Sequence, residues 1–474
     1  MSDELVLAID QGGQSTRAIA FDRQGQVYAS HSVPVTTRRT GENHVEHDPD
    51  QLLSSVNEAI AAVAAETLGK RRIVAAGLAT QRSTVVCWDR ENGAALSPVI
   101  SWQDRRAIEI LRRFAPSEKV VQQITGLVRS PHYGASKLRW CLDNIDSVAR
   151  ARQAGTLAMG PLSSFLLFHL VSDQPFLADP VNASRTLLWD VNTLDWSDEM
   201  LGAFGIPGEC LPTCVSSKHG FGILRGVEIP LTVCTGDQGA AIFAGGAVRA
   251  GTAYINIGTG AFVLAPVAQA PANTRLLRSV VWDDESTVMR VMEGTVNGAG
   301  SAVAARQASP ADVVRAASAI ATPGIPLFLN GESGLGSPYW REDFASRFVG
   351  KGDDHSCLTA VLESVLFLLQ VNLEQIAWAT NLRTIVVSGG LSHNDGLCQG
   401  LADLSGLVVR RPDEAEATAR GLAFLTARLP TEWQPAPEQA FEPGADRNIL
   451  RQRFSLWLDE MNTTVEPSRY NERQ

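Results

Sequence analysis

Two carboxylates stand where an apolar run breaks into small polar residues. Asp10 closes LVLAID and is followed by Gln11-Gly12-Gly13-Gln14-Ser15-Thr16-Arg17. Asp237 closes VCTGD and is followed by Gln238-Gly239-Ala240-Ala241. In the first stretch, glycines let backbone N–H groups curl toward an anion, and Ser15, Thr16 and Arg17 add donors for phosphate oxygens. Asp10, at the end of a buried strand, has the chemistry to hold Mg2+ through water. An ordinary hairpin turn uses the same residue types and is the plainer alternative. Asp237 opens an Ala-rich helix. A carboxylate there serves either as an N-cap or as a general base that takes the proton of an attacking alcohol.

Two more glycine turns follow: Gly258-Thr259-Gly260 between apolar runs, and Ser388-Gly389-Gly390-Leu391-Ser392-His393-Asn394 after IVV. A Gly-Gly pair after a strand lets a phosphate or a flat ring approach the backbone, or simply makes the turn. No Walker A loop and no protein-kinase H-R-D or D-F-G set occurs. The run Thr80-Gln81-Arg82-Ser83 and the run Ser101-Trp102-Gln103-Asp104-Arg105-Arg106 offer donors for hydroxyls and a ring to stack on a carbon skeleton. An ion-pair network between domains is the alternative. His44 and His47, among Glu42, Glu46 and Asp48, read as a polar loop ahead of a helix start rather than a metal pair. Cys210 and Cys214 read as structural thiols.

These residues need elements to hold them. Leu5–Ile9, Arg17–Asp22 and Val27–Val35 alternate with turn signals, which predicts a three-stranded antiparallel meander. Asp48-Pro49 starts a helix, with Asp as N-cap and Pro at the first position, running to about Leu68. Strands follow at Ile73–Thr80, Thr84–Asp89 and up to Gly236. The second half repeats the figure: Ala253–Gly258, a tight turn, Ala261–Pro266, then a strand at Thr287–Gly294. A helical run His355–Thr380, a strand Ile385–Gly390, a helix from about Asn394, a strand Leu407–Pro412 and a helix Ala415–Ala427 complete it. Two halves that each open on a hairpin and end in α/β units point to a duplicated fold with a ligand cleft between the copies. The Pro- and charge-rich tail from Pro430, helical over Arg447–Met461, reads as a surface element.

The chain has 474 residues, enough for about three domains or two large ones. Net charge is −10 and no long basic tract occurs, which argues against nucleic acid or an anionic membrane as partner. The seven cysteines include no C-x-x-C pair, so neither a disulfide framework nor a structural zinc site is expected. The opening Met1-Ser2-Asp3-Glu4 is acidic where a secretory signal is basic. The apolar stretch Leu157–Val171 is too short and too interrupted to span a bilayer. A cytoplasmic protein is expected.

The collinear set LAIDQGGQSTRAIAFD, VEHDP, VISWQDRR, NASRTLLWDVNTLDW, TGDQGAA, INIGTGAF, GLGSPYW and SGGLSHND resembles the FGGY family of carbohydrate kinases, in its glycerol-kinase-like branch. The resemblance runs from Leu5 to Leu429. It implies an α/β fold of two actin-like (ribonuclease-H-like) domains with a cleft between them. Residues 1–246 would carry the acceptor and the base, 247–430 the nucleotide, and 431–474 a helical tail. The implied reaction moves the γ-phosphate of ATP to a hydroxyl of a polyol or ketose. Glycerol kinase proper, or a catalytically silent actin-like binding protein, are the alternatives.

By the same resemblance, Asp237 is the base and Asp10 belongs to the Mg-ATP site. Gly12, Gly13, Gln14, Ser15, Arg17, Gly258 and Thr259 face phosphates, while Gly390 and Asn394 lie near the adenine nucleotide. Arg82, Trp102, Gln238 and Phe262 fall on acceptor-contacting positions. Ser83 stands where glycerol kinases carry Glu, and His132 where they carry Tyr. Those changes point away from glycerol toward a longer acceptor. Ser163 replaces a usual Asp, with no functional reading. The expected partner is a small-molecule sugar or polyol, with no nucleic acid and no membrane; a homodimer is an open option.

Overall fold

Leu5 to Ile9 are all nearly inaccessible, as an apolar strand covered on both faces should be. In a computed structural model describing residues 4–271, 274–445 and 447–465, this run forms the strand Glu4–Gln11. The acidic opening Met1-Ser2-Asp3 and the end of the tail lie outside the described residues. The chain divides into two units. The first comprises residues up to Val248, Arg278–Arg290 and Ala415–Pro435; the second comprises Arg249–Leu277, Val291–Glu414 and residues from Ala436 on.

In the first unit, Glu4–Gln11, Ser15–Phe21 and Val27–Pro34 make the expected antiparallel meander. Gly25 closes the second turn at φ +80°, with its N–H on the Asp22 carbonyl at 3.0 Å. Arg72–Thr80 joins the opening strand in parallel, Ile229–Gly236 joins Arg72–Thr80 in parallel, and Lys218–Leu224 closes the sheet antiparallel. The helix Pro49–Thr67 starts where Asp48 caps it, accepting from the N–H groups of Asp50 and Gln51. Leu5, Leu7 and Ile9 share a core with this helix and with Leu162–Leu170. On the other face, the helix Ala417–Thr426 packs so closely that a Cβ on Gly77 would stand 2.8 Å from Leu422 Cδ1.

A second, five-stranded sheet in this unit orders Arg38–Thr40, His44–His47, Val99–Ile100, Val85–Asp89 and Leu157–Pro161. The loop expected at His44 and His47 is therefore a strand. Its ladder continues onto Val99–Ile100, a long-range pairing that polar composition conceals. The stretch Leu157–Val171 is that edge strand followed by a short buried helix.

In the second unit, Thr252–Ile257 and Ala261–Val267 pair antiparallel. Thr384–Ser388 joins the former in parallel, Val408–Pro412 follows in parallel, and Glu438–Phe441 closes antiparallel. Over these five strands the order and directions repeat those of Ser15–Phe21, Glu4–Gln11, Arg72–Thr80, Ile229–Gly236 and Lys218–Leu224 in the first sheet, so the duplicated figure holds. The helix Asp354–Ala377 forms the middle of this core. Among the described residues it is the one helix long and apolar enough to cross a membrane, longer than the Leu157–Val171 stretch, and it is mostly buried inside the unit.

The tail is not a surface element. Its helix Asn448–Thr464 buries Leu450, Trp457 and Met461 in the second core. Arg453 donates to Glu363 Oε2 at 2.8 and 2.6 Å, and both are buried. Burial raises the Glu363 pKa, and Arg453 only partly counters it. Removing one member of such a pair strands the other. Arg453→Met is expected to lower unfolding stability by about 3 kcal/mol in chemical denaturation. A change within about 0.5 kcal/mol would show that the pair does not hold the tail down.

Candidate active site

Three parallel strands of the first unit end at one edge. Their register places Gln11 beside Thr80, and Thr80 beside Gly236. The loops that leave this edge therefore start with Asp10-Gln11, Gln81-Arg82-Ser83 and Asp237-Gln238. Carboxyl ends of parallel strands are where α/β sheets bind ligands, because the following loops and helix N-termini converge there.

Asp237 is the first residue of the helix Asp237–Ala241, and its Oδ1 accepts the Gln238 N–H at 2.8 Å. Arg82 Nε lies 3.9 Å from the same oxygen, and Arg82 also donates to the Gln238 side chain. Arg82 is buried, while the Asp237 side chain keeps 32% of its surface exposed. That combination leaves a carboxylate oriented by a guanidinium yet reachable by an alcohol. Two glycines make the geometry possible. A Cβ at Gly236 would stand 2.6 Å from Arg82 Cγ. A Cβ at Gly421, on the helix Ala417–Thr426, would stand 1.9 Å from the Ala240 carbonyl oxygen. The same helix sends Thr418 Oγ1 to the Asp237 carbonyl at 3.4 Å.

Asp10 is buried at the end of its strand. Burial, reinforced by the charge of Asp237, lifts its pKa to about 7, while Arg17 acts in the opposite direction and Glu416 adds to the rise. Around it, Gly12 N–H bonds to the Ser15 carbonyl at 3.0 Å, the Gly13 carbonyl accepts from Thr37 at 2.9 Å, and the Gln14 carbonyl accepts from Val35 at 2.8 Å. Arg17 pairs with Glu416 at 3.0 Å, and Thr16 is buried on Ser55. The turn is thus a braced hairpin whose backbone is partly engaged in its own bonds.

A second cluster adjoins the 81–83 loop. Ser83 is buried at φ +64°, and its Oγ has no hydrogen-bond partner among the described residues. Trp102 N–H bonds to Thr84 Oγ1 at 3.1 Å. The His132 ring lies 5.4 Å from the Trp102 ring and 5.1 Å from that of Tyr133. Asp104 and Glu46 hold Arg106, whose guanidinium covers the Trp140 ring at 4.9 Å; this network lies within the one unit. Ser163 Oγ bonds to the buried carboxylate of Asp179 at 3.2 Å, which gives it a packing role.

The second unit brings its own turns together. Gly258 N–H bonds to the Gly260 carbonyl at 2.9 Å, and the Gly258 and Thr259 carbonyls accept from Gly300 and Ser301 at 2.9 and 3.0 Å. Gly389, at φ +90°, presses on this strand: a Cβ there would stand 2.7 Å from the Ile257 carbonyl oxygen. Gly390 opens into free space, Asn394 precedes the helix Asp395–Ser405, and Phe262 sits opposite Asn256 in the hairpin.

One buried charged residue beside the cluster around Ser83 carries no sequence expectation. Lys137 is completely buried, on a helix face shared with Gly134, Leu138 and Cys141. A lysine on an apolar helix face was the available signal.

The two sheets share strand order and glycine turns at their carboxyl edges, with Asp10 and Asp237 at the edge of the first, and comparison says which family this is. Residues 5–244 match the N-terminal domain of the FGGY family of carbohydrate kinases, and residues 253–429 match its C-terminal domain. The glycerol kinase of Geobacter sp. (strain M21) is 33% identical, covering 96% of this chain and 97% of its own. That of Citrifermentans bemidjiense is 34% identical, with 96% and 97% covered. Among solved structures, Plasmodium falciparum glycerol kinase with ADP aligns with a TM-score of 0.87 at 25% identity, covering 97% and 98% of the chains. Ligand-bound xylulose kinase from Lactobacillus acidophilus aligns at 0.86 and 20% identity, covering 98% and 99%. The chain belongs to the FGGY family of carbohydrate kinases. It is an ATP-dependent phosphotransferase with an alcohol group as acceptor.

Proposed function

We propose that the chain phosphorylates a hydroxyl of a polyol or ketose longer than glycerol, with Asp237 as general base. The observation that carries this reading is the half-buried, still reachable carboxylate of Asp237 held beside Arg82 and Gln238. The acceptor hydroxyl gives its proton to Asp237 as it attacks the γ-phosphorus, so the oxygen arrives as a better nucleophile, and the bond from that phosphorus to the β,γ-bridging oxygen breaks to release ADP. Arg82, Ser83, Trp102, His132, Gln238 and Phe262 bind the acceptor. The orphaned Ser83 hydroxyl supports this, because a buried unpaired donor is costly unless a ligand satisfies it.

Gly12, Gly13, Gln14, Ser15, Arg17, Gly258, Thr259, Gly390 and Asn394 bind ATP in this reading. Asp10 fits Mg2+: a buried carboxyl repelled by a second carboxylate is relieved by a hard divalent cation. When bound, that ion neutralises charge on phosphoryl oxygens. Residues 1–246 serve the acceptor and base, 247–430 the nucleotide, and 431–474 form the tail. The setting is cytoplasmic, with neither nucleic acid nor membrane as partner, and a homodimer is the assembly to test by light scattering. Glycerol is the second reading, favoured by the relatives that are glycerol kinases. A screen of ADP release over C3–C7 acceptors separates the two.

His132 supplies a pH test. Burial, then the charges of Lys137, Arg105, Arg185 and Arg82, hold its pKa well below the ordinary 6.5. It is therefore neutral through the working range and reads a hydroxyl or carbonyl by one donor and one acceptor nitrogen. The acceptor KM should show no inflection near pH 6.5. An inflection there that disappears in His132→Gln would contradict a neutral His132.

A further inference from the structure

Three segments that carry acceptor-binding candidates meet on one side chain. Lys137, on the helix Gly134–Asn144, is fully buried. Its Nζ donates to the carbonyl oxygens of Ser83 at 3.1 Å, Ser101 at 2.9 Å and His132 at 2.7 Å. An ammonium has three N–H donors and no acceptor, so these bonds use its whole capacity. Burial and Arg105 depress its pKa well below that of a free lysine; Asp104 acts the other way and Arg106 adds to the fall.

The three carbonyls matter for what they carry. Ser83 and His132 are themselves acceptor candidates, and Ser101 precedes Trp102. Ser83 is held at φ +64°, a conformation that persists in a non-glycine residue only when its surroundings over-determine it. The bond from Lys137 to its own carbonyl is such a constraint. The helix that bears Lys137 is also fixed against the strand after Ser83, since a Cβ on Gly134 would stand 2.9 Å from Val85 Cγ1. Loss of one ammonium would release the backbone at three places at once, and a shift of an ångström at a binding group is enough to weaken a reaction strongly.

We propose that Lys137 is a positioning residue for acceptor recognition, holding Ser83, Trp102 and His132 in one constellation without touching the acceptor. This rests on the assignment of those three side chains to the acceptor.

Lys137→Arg keeps the charge but places its donors in a larger planar fork. The expected result is an acceptor KM raised about tenfold or more, with the ATP KM changed less than about twofold. Hydrogen exchange in the absence of acceptor should rise together over residues 81–84, 101–105 and 131–134. Unchanged exchange and an unchanged acceptor KM, with activity lost only in proportion to folded protein, would overturn the proposal. Should the variant not fold, exchange of the wild type titrated with its best acceptor is the second measurement. Protection of the three segments with one shared midpoint supports the tie, and separate midpoints overturn it. If the wild type phosphorylates no acceptor, the acceptor assignment fails instead, while the exchange of Lys137→Arg still reports on the three-way tie.

Discussion

Asp237→Asn is expected to lower phosphoryl transfer by about 10²–10⁴-fold while ATP binds as it does to the wild type. The amide keeps the volume of the side chain, and its oxygen can still accept the Gln238 N–H that Asp237 Oδ1 accepts at 2.8 Å. What it loses is the capacity to take a proton. Arg82 would still be fixed by Gln238, so the acceptor should bind with a KM close to normal. The loss then falls on kcat, as it must for an interaction made in the transition state. Initial rates by coupled ADP release, with nucleotide affinity from calorimetry, check this. Turnover within a few-fold of wild type would remove Asp237 from the role of base.

The second large effect concerns the acceptor. Glycerol should be a poor substrate, and a longer polyol or ketose a better one, by as much as several orders of magnitude in kcat/KM. Ser83 offers one uncharged hydroxyl, buried and without a hydrogen-bond partner among the described residues, where the resemblance to glycerol kinases implies a carboxylate in theirs. It cannot grip two hydroxyls of a small triol. Its small volume suits further carbons, and the His132 imidazole beside Trp102 offers one donor and one acceptor to them. Ser83→Glu combined with His132→Tyr should shift preference toward glycerol. Paired kcat/KM values for glycerol and the C4–C7 candidates decide it. If the wild type already prefers glycerol to all of them, the pocket argument is wrong.

Much of the frame could be read locally. The opening meander follows from three apolar runs, with a glycine-rich turn after the first and Asp22 and Gly25 in the turn after the second; the structure keeps each. The Asp48-Pro49 helix start shows both of its signals in the cap. Asp237 falls where strand and helix meet because an apolar run there gives way to Gly-Asp-Gln. What could not be read depends on partners distant in sequence. His44–His47 became a strand because Val99–Ile100 pairs with it. The tail became core because Glu363 and Phe328 receive Arg453 and Trp457. Gly421, a plain glycine in a helix pattern, is required by the Ala240 carbonyl. Among the described residues Lys137 bonds to three backbone carbonyls, which no side-chain pattern announces.

In the proposed reaction an acceptor hydroxyl is phosphorylated at the carboxyl edge of the first sheet, with Asp237 receiving its proton. The most direct measurement is a screen of coupled ADP release over C3–C7 polyols, ketoses and sugar acids, run in parallel on the wild type and Asp237→Asn, with the product of the best acceptor identified by mass spectrometry. ADP formation should depend on the acceptor, place one phosphoryl group on a C4–C7 polyol or ketose, and be lost in the variant. ADP formation that is indifferent to every acceptor, or that survives in Asp237→Asn, would contradict this reaction.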